Sequence, residues 1–209
     1  MVAINGVPPP VNIQTMSHIT PNVKLFYPFI WGMPNQPVQD TMNQIIMDQV
    51  EQLIDQQAGM QIEGQTEMYG FYELKTNQRG VLSILQGNYA YTPPMAHGMT
   101  VADSLTFDVN TGKVYALSEL FTPNSNYVQV LSDLIQQQIK ERELPLLGEF
   151  KGINPDQYYY IADKALVIYF QLYEISPYYV GLPMFPISVY QIQDLILEHS
   201  PLGKMVSAF

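Results

Sequence analysis

The middle of the chain has the hydrophobic pattern of β-strands. Four segments rich in β-branched and aromatic residues are bounded by polar turn residues: residues 67–76, 81–92, 99–109 and 114–117. Short turns join the first two and the last two, with Gly80 and Gly112 where a positive φ is easily adopted. Because strands joined by turns this short pair antiparallel, the pattern predicts a four-stranded β-meander.

Two further strand candidates precede the meander. Residues 11–19 form the weaker one and residues 23–30 the better one, although Pro28 should keep that strand at a sheet edge or end it. Three consecutive prolines come before both candidates, and we expect residues 1–10 to form a loose, extended arm.

Two long segments have the helical period instead. One begins near Pro37, a residue that suits the first helical position. The other covers residues 125–143, where Ser125 or Asn124 can cap the start. Both carry an apolar stripe that predicts packing on a core. The stripe residues are Val38, Met42, Ile45, Ile46, Val50, Leu53 and Ile54 in the first, and Tyr127, Val130, Leu131, Leu134, Ile135 and Ile139 in the second.

The C-terminal part begins with strand-like segments. Residues 158–161 and 166–173 are rich in aromatic and β-branched residues, and the second segment is almost continuously apolar. Residues 176–186, which contain three prolines, then predict a loop held in place at little entropic cost.

A short helix is predicted to follow this loop. Ser188 and Gln191 have the spacing of a capping box, and apolar residues recur at helical spacing as far as about residue 197. Residues 200–209 are expected to form a mobile tail.

These elements together predict an α+β fold. An antiparallel β-meander sheet would carry about three packed helices, and the chain would divide into two interlocked modules with a boundary near Thr122. Two separate calorimetric transitions would contradict the interlocking.

Composition narrows the possible partners. The formal net charge is −10, from 9 Lys and Arg against 19 Asp and Glu, which argues against nucleic acid as a partner. There is no cysteine, which excludes disulfides, thiolate metal ligands and a cysteine nucleophile. The sequence leaves the oligomeric state open.

Targeting signals are also missing from the sequence. The N-terminus lacks the basic and apolar regions of a secretory signal, and no segment approaches the roughly 20 apolar residues of a membrane span. As written, the chain is expected to be cytoplasmic and without a membrane span.

Catalytic motifs are absent as well. The three histidines lack zinc-site spacing, and neither a nucleophilic serine motif nor a phosphate-binding loop occurs. We therefore predict no catalytic residue, metal or cofactor. One enzymatic alternative uses carboxylates paired in the manner of a glycosidase. The candidates are Asp103, Asp108, Glu119 and Glu174.

Aromatic residues supply the candidate binding residues. The chain has 15 tyrosines, and exposed tyrosines offer rigid, amphipathic contact area for proteins or glycans. They could instead cover the sheet, and His97 could simply hold its loop by a hydrogen bond. The candidate ligand contacts lie in or beside the two proline-containing loops, residues 92–98 and 176–186. They are His97, Tyr91, Tyr173, Tyr178 and Tyr179.

Three motifs carry a resemblance to a known bacterial domain pair. Residues 89–98 read YAYTPPMAHG, residues 107–113 read FDVNTGK and are followed by Leu117, Leu120 and Phe121, and residues 173–175 read YEI before Pro177, Gly181 and Ser188. Residues 1–122 resemble the accessory domain of PdaC-type peptidoglycan deacetylases. Residues 123–209 resemble the ectodomain of RsiV-type anti-sigma factors.

The resemblance implies the fold of these families, whose members are extracytoplasmic. It does not carry over lysozyme sensing or deacetylation, because neither a deacetylase domain nor a transmembrane helix is present in the sequence. Two prolines also stand where the first module often has glycines. The expected function is a non-enzymatic binding or sensing module for a protein or a cell-wall glycan. The alternative is a carbohydrate-active enzyme or an accessory domain of one.

Overall fold

The computed structural model describes residues 8–206, and that range contains two open sheets and three α-helices. The predicted α+β class is confirmed. None of the helices in this range is long and apolar enough to cross a membrane. The chain divides into two compact units, the first ending at Val114 and the second beginning at Tyr115.

Five strands form one sheet in the first unit. Neighbouring strands are antiparallel except the second and third, which pair in parallel through residues 23–25 and 68–70. The connection between those two contains α1 (Gln36–Asp55), because a parallel pair requires a crossover. The sheet is therefore mixed, and the predicted meander accounts for its last three strands. In spatial order the strands are β1 (Asn12–Ile19), β2 (Val23–Trp31), β3 (Glu67–Gln78), β4 (Val81–Tyr91) and β5 (Met99–Asp108).

The predicted fourth strand of the meander, residues 114–117, is not a strand. Val114 makes one isolated bridge with Phe107, and the chain then forms a 3-10 helix at Leu117–Leu120. Residues three apart lie on one side of such a helix, and both of these leucines are buried. Burying the pair together favours the 3-10 turn over a longer strand.

Pro28 lies inside β2 and does not end it. The backbone N–H of Ile30 donates to Asn43 Oδ1 at 2.8 Å and not to β1. Because strand residues two apart point their N–H groups to the same side, the Pro28 nitrogen also points away from β1. On that side β2 no longer pairs with β3, so the missing N–H removes no sheet hydrogen bond.

The core of the first unit lies between α1 and the sheet. Asn35 caps the helix by accepting a hydrogen bond from the Val38 N–H at 3.4 Å, and proline stands in the first turn as predicted. Met42 on α1 belongs to the same buried cluster as Ile84 on β4 and Phe107 on β5. The helical stripe predicted the helix side of this layer correctly.

The second unit contains a three-stranded antiparallel sheet. Its strands are β6 (Tyr159–Ala162), β7 (Ala165–Tyr169) and β8 (Met184–Ser188), with β7 in the middle. Beside it runs α2 (Tyr127–Glu141). Gln138 Nε2 donates to the Pro186 carbonyl at 2.9 Å, and Arg142 donates to the Met184 carbonyl at 2.8 Å. These side chains cover the outer edge of β8.

Several predicted boundaries in this unit are wrong. The strand predicted over residues 166–173 ends at Tyr169, and residues 184–186 lie in β8 and not in a loop. The edge position of β8 explains why it tolerates a proline. At the start of α2 neither predicted cap is used, because the N-cap is Asn126 and its side chain makes no capping bond.

The predicted helix over residues 188–197 is replaced by two 3-10 turns, Val189–Gln191 and Gln193–Leu195. Its capping box does form, because the Ser188 N–H donates to Gln191 Oε1 at 3.2 Å. The helix cannot continue because Ile196 bridges Phe121 and the Leu197 N–H donates to the Leu120 carbonyl at 2.9 Å. This pairing joins residues 120–122 to residues 195–197 within the second unit, and the module boundary near Thr122 stays a prediction.

The expectations for the two chain ends have different outcomes. Most of the predicted arm, residues 1–7, lies outside the described residues, and residues 8–10 have no regular structure. The predicted mobile tail is wrong for residues 200–206, because Leu202 and Met205 are buried and α3 (Gly203–Val206) packs there. Ser200 Oγ anchors this segment by donating to the Leu120 carbonyl at 3.1 Å.

Candidate binding surface

The loop between β7 and β8, residues 171–183, is held by hydrogen bonds at several points, and we call it the tyrosine loop. The Phe170 N–H donates to the Pro183 carbonyl at 3.1 Å and closes its base. The Glu174 carboxylate accepts from the Gln171 N–H at 2.7 Å and from Gln157 Nε2 at 3.0 Å. These bonds keep the loop in one conformation.

Three predicted contact residues lie on this loop. Tyr173 is 45% exposed and Tyr179 is 78% exposed, while Tyr178 is half-buried. The Tyr173 and Tyr178 rings lie 5.8 Å apart between centroids. Tyr173 has a φ of 65°, which is uncommon for a residue other than glycine, and Gly181 has a φ of 78°. The loop therefore carries three tyrosines, two of them in ring contact, and the expected partial exposure of Tyr178 and Tyr179 is found.

Buried aromatic rings support the start and end of the tyrosine loop. Phe170, which precedes the loop, lies edge-on to Phe150 and to Phe185, with centroid distances of 5.9 and 5.7 Å. Tyr169 is fully buried and stacks on the half-exposed Tyr158 at 5.5 Å. Edge-to-face and offset aromatic pairs add stabilisation beyond their buried area, so this base is rigid.

The two other predicted contacts belong to the first unit. His97 is exposed, and its Nδ1 donates to the neighbouring Gly98 carbonyl at 3.0 Å. The Tyr89 ring covers Gly98 so closely that a Cβ there would lie 2.3 Å from a ring carbon. Tyr91 is half-buried and pairs across the strands with Glu67. Ligand contact by His97 and by Tyr91 stays a prediction.

A second exposed aromatic group, which is not among the predicted contact residues, lies in the first unit around Tyr69. Tyr69 on β3 is 48% exposed and lies 5.8 Å from Phe26 and 6.5 Å from Phe71 between centroids. The Phe71 ring lies over Gly87, where a Cβ would come within 2.4 Å of it. Strand alternation places Tyr69 and Phe71 on one face, but sequence alone does not show that Gly87 makes room for the ring.

The carboxylates of the enzymatic alternative are engaged in local hydrogen bonds. Asp108 accepts from the Asn110 N–H at 2.8 Å, and Glu119 accepts from the Ala116 N–H at 2.9 Å. Glu174 holds the tyrosine loop, as described above. Among residues 8–206 no group of three or more histidine, aspartate or glutamate side chains is arranged to hold a metal ion.

Asp103 is a carboxylate whose pKa the fold raises. Burial raises its pKa above the ordinary value of 3.8, against hydrogen bonds from the Ser104 N–H and the Gln49 side chain that lower it. At pH values between its unfolded and folded pKa, Asp103 is protonated more often in the folded chain than in the unfolded chain. The contribution of Asp103 to the free energy of unfolding therefore falls as the pH rises through that window.

Replacing Asp103 by asparagine should therefore change the pH dependence of unfolding. Asparagine keeps the acceptor oxygen but has no charge to desolvate. The free energy of unfolding of Asp103→Asn, relative to that of the unchanged chain, should therefore be higher at pH 7 than at pH 3. Urea unfolding of both proteins at each pH measures this. A stability difference that shrinks or stays constant from pH 3 to pH 7 would contradict it.

A family model described as a protein of unknown function (DUF3298) matches residues 118–190. That segment contains the whole tyrosine loop. The chain is also 30% identical over 185 residues to the anti-sigma-V factor RsiV of Bacillus subtilis (strain 168). The alignment covers 81% of this chain and 64% of RsiV, so the chain spans slightly less than two thirds of that relative.

Two crystal structures share the fold. One is a member of the DUF3298 family from Bacteroides fragilis NCTC 9343, with a TM-score of 0.70 and 14% identity over 96% of this chain and 99% of that one. The other is a DUF3298 family protein from Pseudomonas aeruginosa PAO1, with a TM-score of 0.67 and 15% identity over 95% and 97%. Residues 118–190 are therefore similar to the DUF3298 family, and the predicted resemblance of the chain to RsiV-type anti-sigma factors is confirmed.

Proposed function

We propose that the chain is a non-enzymatic binding module with a regulatory or sensing role, and that its tyrosine loop contacts a protein partner. The observation that carries this proposal is the exposure of Tyr173 and Tyr179 on a loop held by Glu174 and closed at its base. A contact surface that is ordered before binding loses little entropy on complex formation. Tyrosine is also enriched among the residues that dominate binding energy.

A protein partner fits this surface better than a glycan. Leu147, which is 57% exposed, is hydrogen-bonded through its N–H to the Ile175 carbonyl in the tyrosine loop at 3.0 Å. Tyrosines are enriched at the core of protein interfaces, and an exposed leucine whose backbone is bonded to the same loop adds apolar surface that a protein partner can bury. The likeness to an anti-sigma factor, a regulatory protein by its name, supports the same choice.

The enzymatic alternative has less support. Glu119 and Glu174 each accept a backbone N–H of their own turn, and Asp108 accepts one of its own hairpin. A glycosidase needs one carboxyl as general acid and a second free to act as base or nucleophile. Carboxylates that accept hydrogen bonds from backbone N–H groups of their own turns stabilise those turns.

Replacing Tyr178 and Tyr179 by alanine should weaken partner binding while leaving the fold intact. The test is a cross-linking pull-down from native host cells with the unchanged chain and with the Tyr178→Ala/Tyr179→Ala variant. Loss of central aromatic contacts typically costs 2 kcal/mol or more, about a 30-fold loss of affinity. The free energy of unfolding should change by only about 1 kcal/mol, because Tyr179 is exposed and Tyr178 half-buried.

Tyr190 provides a matched control. It is 54% exposed, lies in the same segment that matches the DUF3298 family model and is outside the tyrosine loop. Tyr190→Ala should capture the same protein as the unchanged chain. If the unchanged chain, the double tyrosine variant and Tyr190→Ala all capture the same amount of the partner protein, the proposal is contradicted. Co-sedimentation with insoluble peptidoglycan that depends on Tyr178 and Tyr179 would assign the loop to a glycan instead.

A further inference from the structure

Polar amide side chains interrupt the apolar layer between α1 and the sheet. On the helix side Gln49 is 5% exposed, and Gln57, just beyond the helix end, is 1% exposed. On β4 they face Gln86 and Asn88, which are 1% and 2% exposed. Amides buried this deeply require hydrogen-bond partners.

The amide nitrogens of the two β4 residues have such partners on the helix side. Gln86 Nε2 donates to Gln49 Oε1 at 2.8 Å and to the Ile46 carbonyl at 3.2 Å. Asn88 Nδ2 donates to Gln57 Oε1 at 2.7 Å. Because each nitrogen meets carbonyl oxygens, reversing either amide would place oxygen against oxygen, so both orientations are set.

The two amide oxygens, by contrast, have no hydrogen-bond partner among residues 8–206. Gln86 Oε1 and Asn88 Oδ1 are both fully buried. Both residues line one small cavity with a volume of about 10 Å³. The remaining wall is mainly apolar and includes Leu25, Leu53 and Phe71.

We propose that this cavity is a binding site for one internal water molecule, which donates a hydrogen bond to Gln86 Oε1 and another to Asn88 Oδ1. The volume corresponds to about one water, and buried waters typically satisfy polar groups that the chain leaves unpaired. A larger ligand does not fit this volume.

The spacing of the two residues suits a single bridge. Residues two apart on a strand are separated by roughly 6.7 Å and point to the same face. Two hydrogen bonds of about 2.8 Å donated by one water, whose H–O–H angle is about 105°, place the two acceptor oxygens about 4.4 Å apart, and the flexible glutamine side chain allows its oxygen to lean towards Asn88 by the difference. A bound calcium ion would need six to eight oxygen ligands, whereas the site offers two side-chain oxygens in an apolar wall.

Gly70 keeps the site open. It lies on β3 opposite Asn88 and also lines the cavity. A Cβ at this position would lie 3.6 Å from Asn88 Oδ1 and 2.8 Å from Leu25 Cδ2. A methyl group there would occupy space beside the oxygen that the water bonds.

Two measurements test the proposal. A crystal structure of the unchanged chain at about 1.5 Å resolution should show a water peak within about 3.2 Å of both oxygens. In solution, oxygen-17 magnetic relaxation dispersion counts the long-lived waters, and the Gly70→Ala variant should show one fewer than the unchanged chain.

Gly59→Ala is the matched control, because a Cβ at Gly59 meets no atom within 4 Å. This variant should keep the full count of long-lived waters. A structure without the peak, or with a peak bonded to only one of the two oxygens, would overturn the proposal, as would an equal count in Gly70→Ala. If Gly70→Ala does not fold, the crystal structure of the unchanged chain decides the question.

Discussion

Replacing Phe107 by alanine is expected to lower the free energy of unfolding of the first unit by about 3–5 kcal/mol. Phe107 on β5 has no exposed surface and lies opposite Leu82 in the sheet register. It shares a buried cluster with Met42 and Ile46 of α1. Truncation removes the ring and leaves a cavity that the helix and sheet cannot close completely.

Trp31 provides the measurement. It is the single tryptophan of the chain and lies at the end of β2 in the same unit, so its fluorescence reports unfolding there. Phe107→Leu serves as the control, because it keeps most of the buried volume and should cost about 1.5 kcal/mol or less. Equal losses in the two variants would show that the cavity is not the cause.

Replacing Gly203 by alanine is expected to destabilise the C-terminal segment by about 1–3 kcal/mol or more. A Cβ at Gly203 would lie 2.2 Å from the Glu198 carbonyl oxygen and 2.5 Å from that of Leu197. Both atoms belong to the backbone, so they cannot move aside as the end of a side chain can. The turn before α3 must open to admit the methyl group.

Amide hydrogen exchange measures this effect locally. The Leu197 N–H donates to the Leu120 carbonyl and the Met205 N–H to the Leu202 carbonyl, and both should exchange faster in Gly203→Ala. The control is Gly148→Ala in the same unit, where a Cβ meets no atom within 4 Å. Unchanged exchange in Gly203→Ala would show that the segment is not packed as described.

The tyrosine loop shows how fold and candidate function are connected in this domain. The base of the loop is closed by a backbone hydrogen bond and by aromatic contacts. Its exposed side chains, among them Tyr173 and Tyr179, lie outside the core. Tyr173 adopts a positive φ, and the Glu174 carboxylate binds the backbone of the same turn. Replacing an exposed tyrosine therefore tests binding, whereas replacing Glu174 would disturb the loop itself.

Local patterns in the sequence were enough to determine most regular elements. The helical stripe with proline in its first turn predicted α1, and alternation with glycine turns predicted β3, β4 and β5. The capping box at Ser188 forms as expected. These features depend on residues close together in the chain, so periodicity and turn chemistry identify them.

The candidate binding residues were only partly determined by the sequence. Proline and tyrosine in residues 176–186 indicated a rigid, exposed loop, and in the fold Tyr179 is exposed while Tyr178 is half-buried. The sequence also predicted Tyr173 as a contact, but it placed that residue at the end of a strand and not on the loop. The end of β7 at Tyr169 and the turn held by Glu174 bring Tyr173 onto the loop.

Only the tertiary structure decided the features that depend on distant partners. The parallel pairing of β2 with β3 and the pairing of Leu120 with Leu197 join residues tens of positions apart. The second of these stops the predicted C-terminal helix, and residues 200–206, which the sequence alone predicts as a mobile tail, pack beside it. Burial against a distant segment outweighs local propensity, and a single sequence records propensity but not which segments meet.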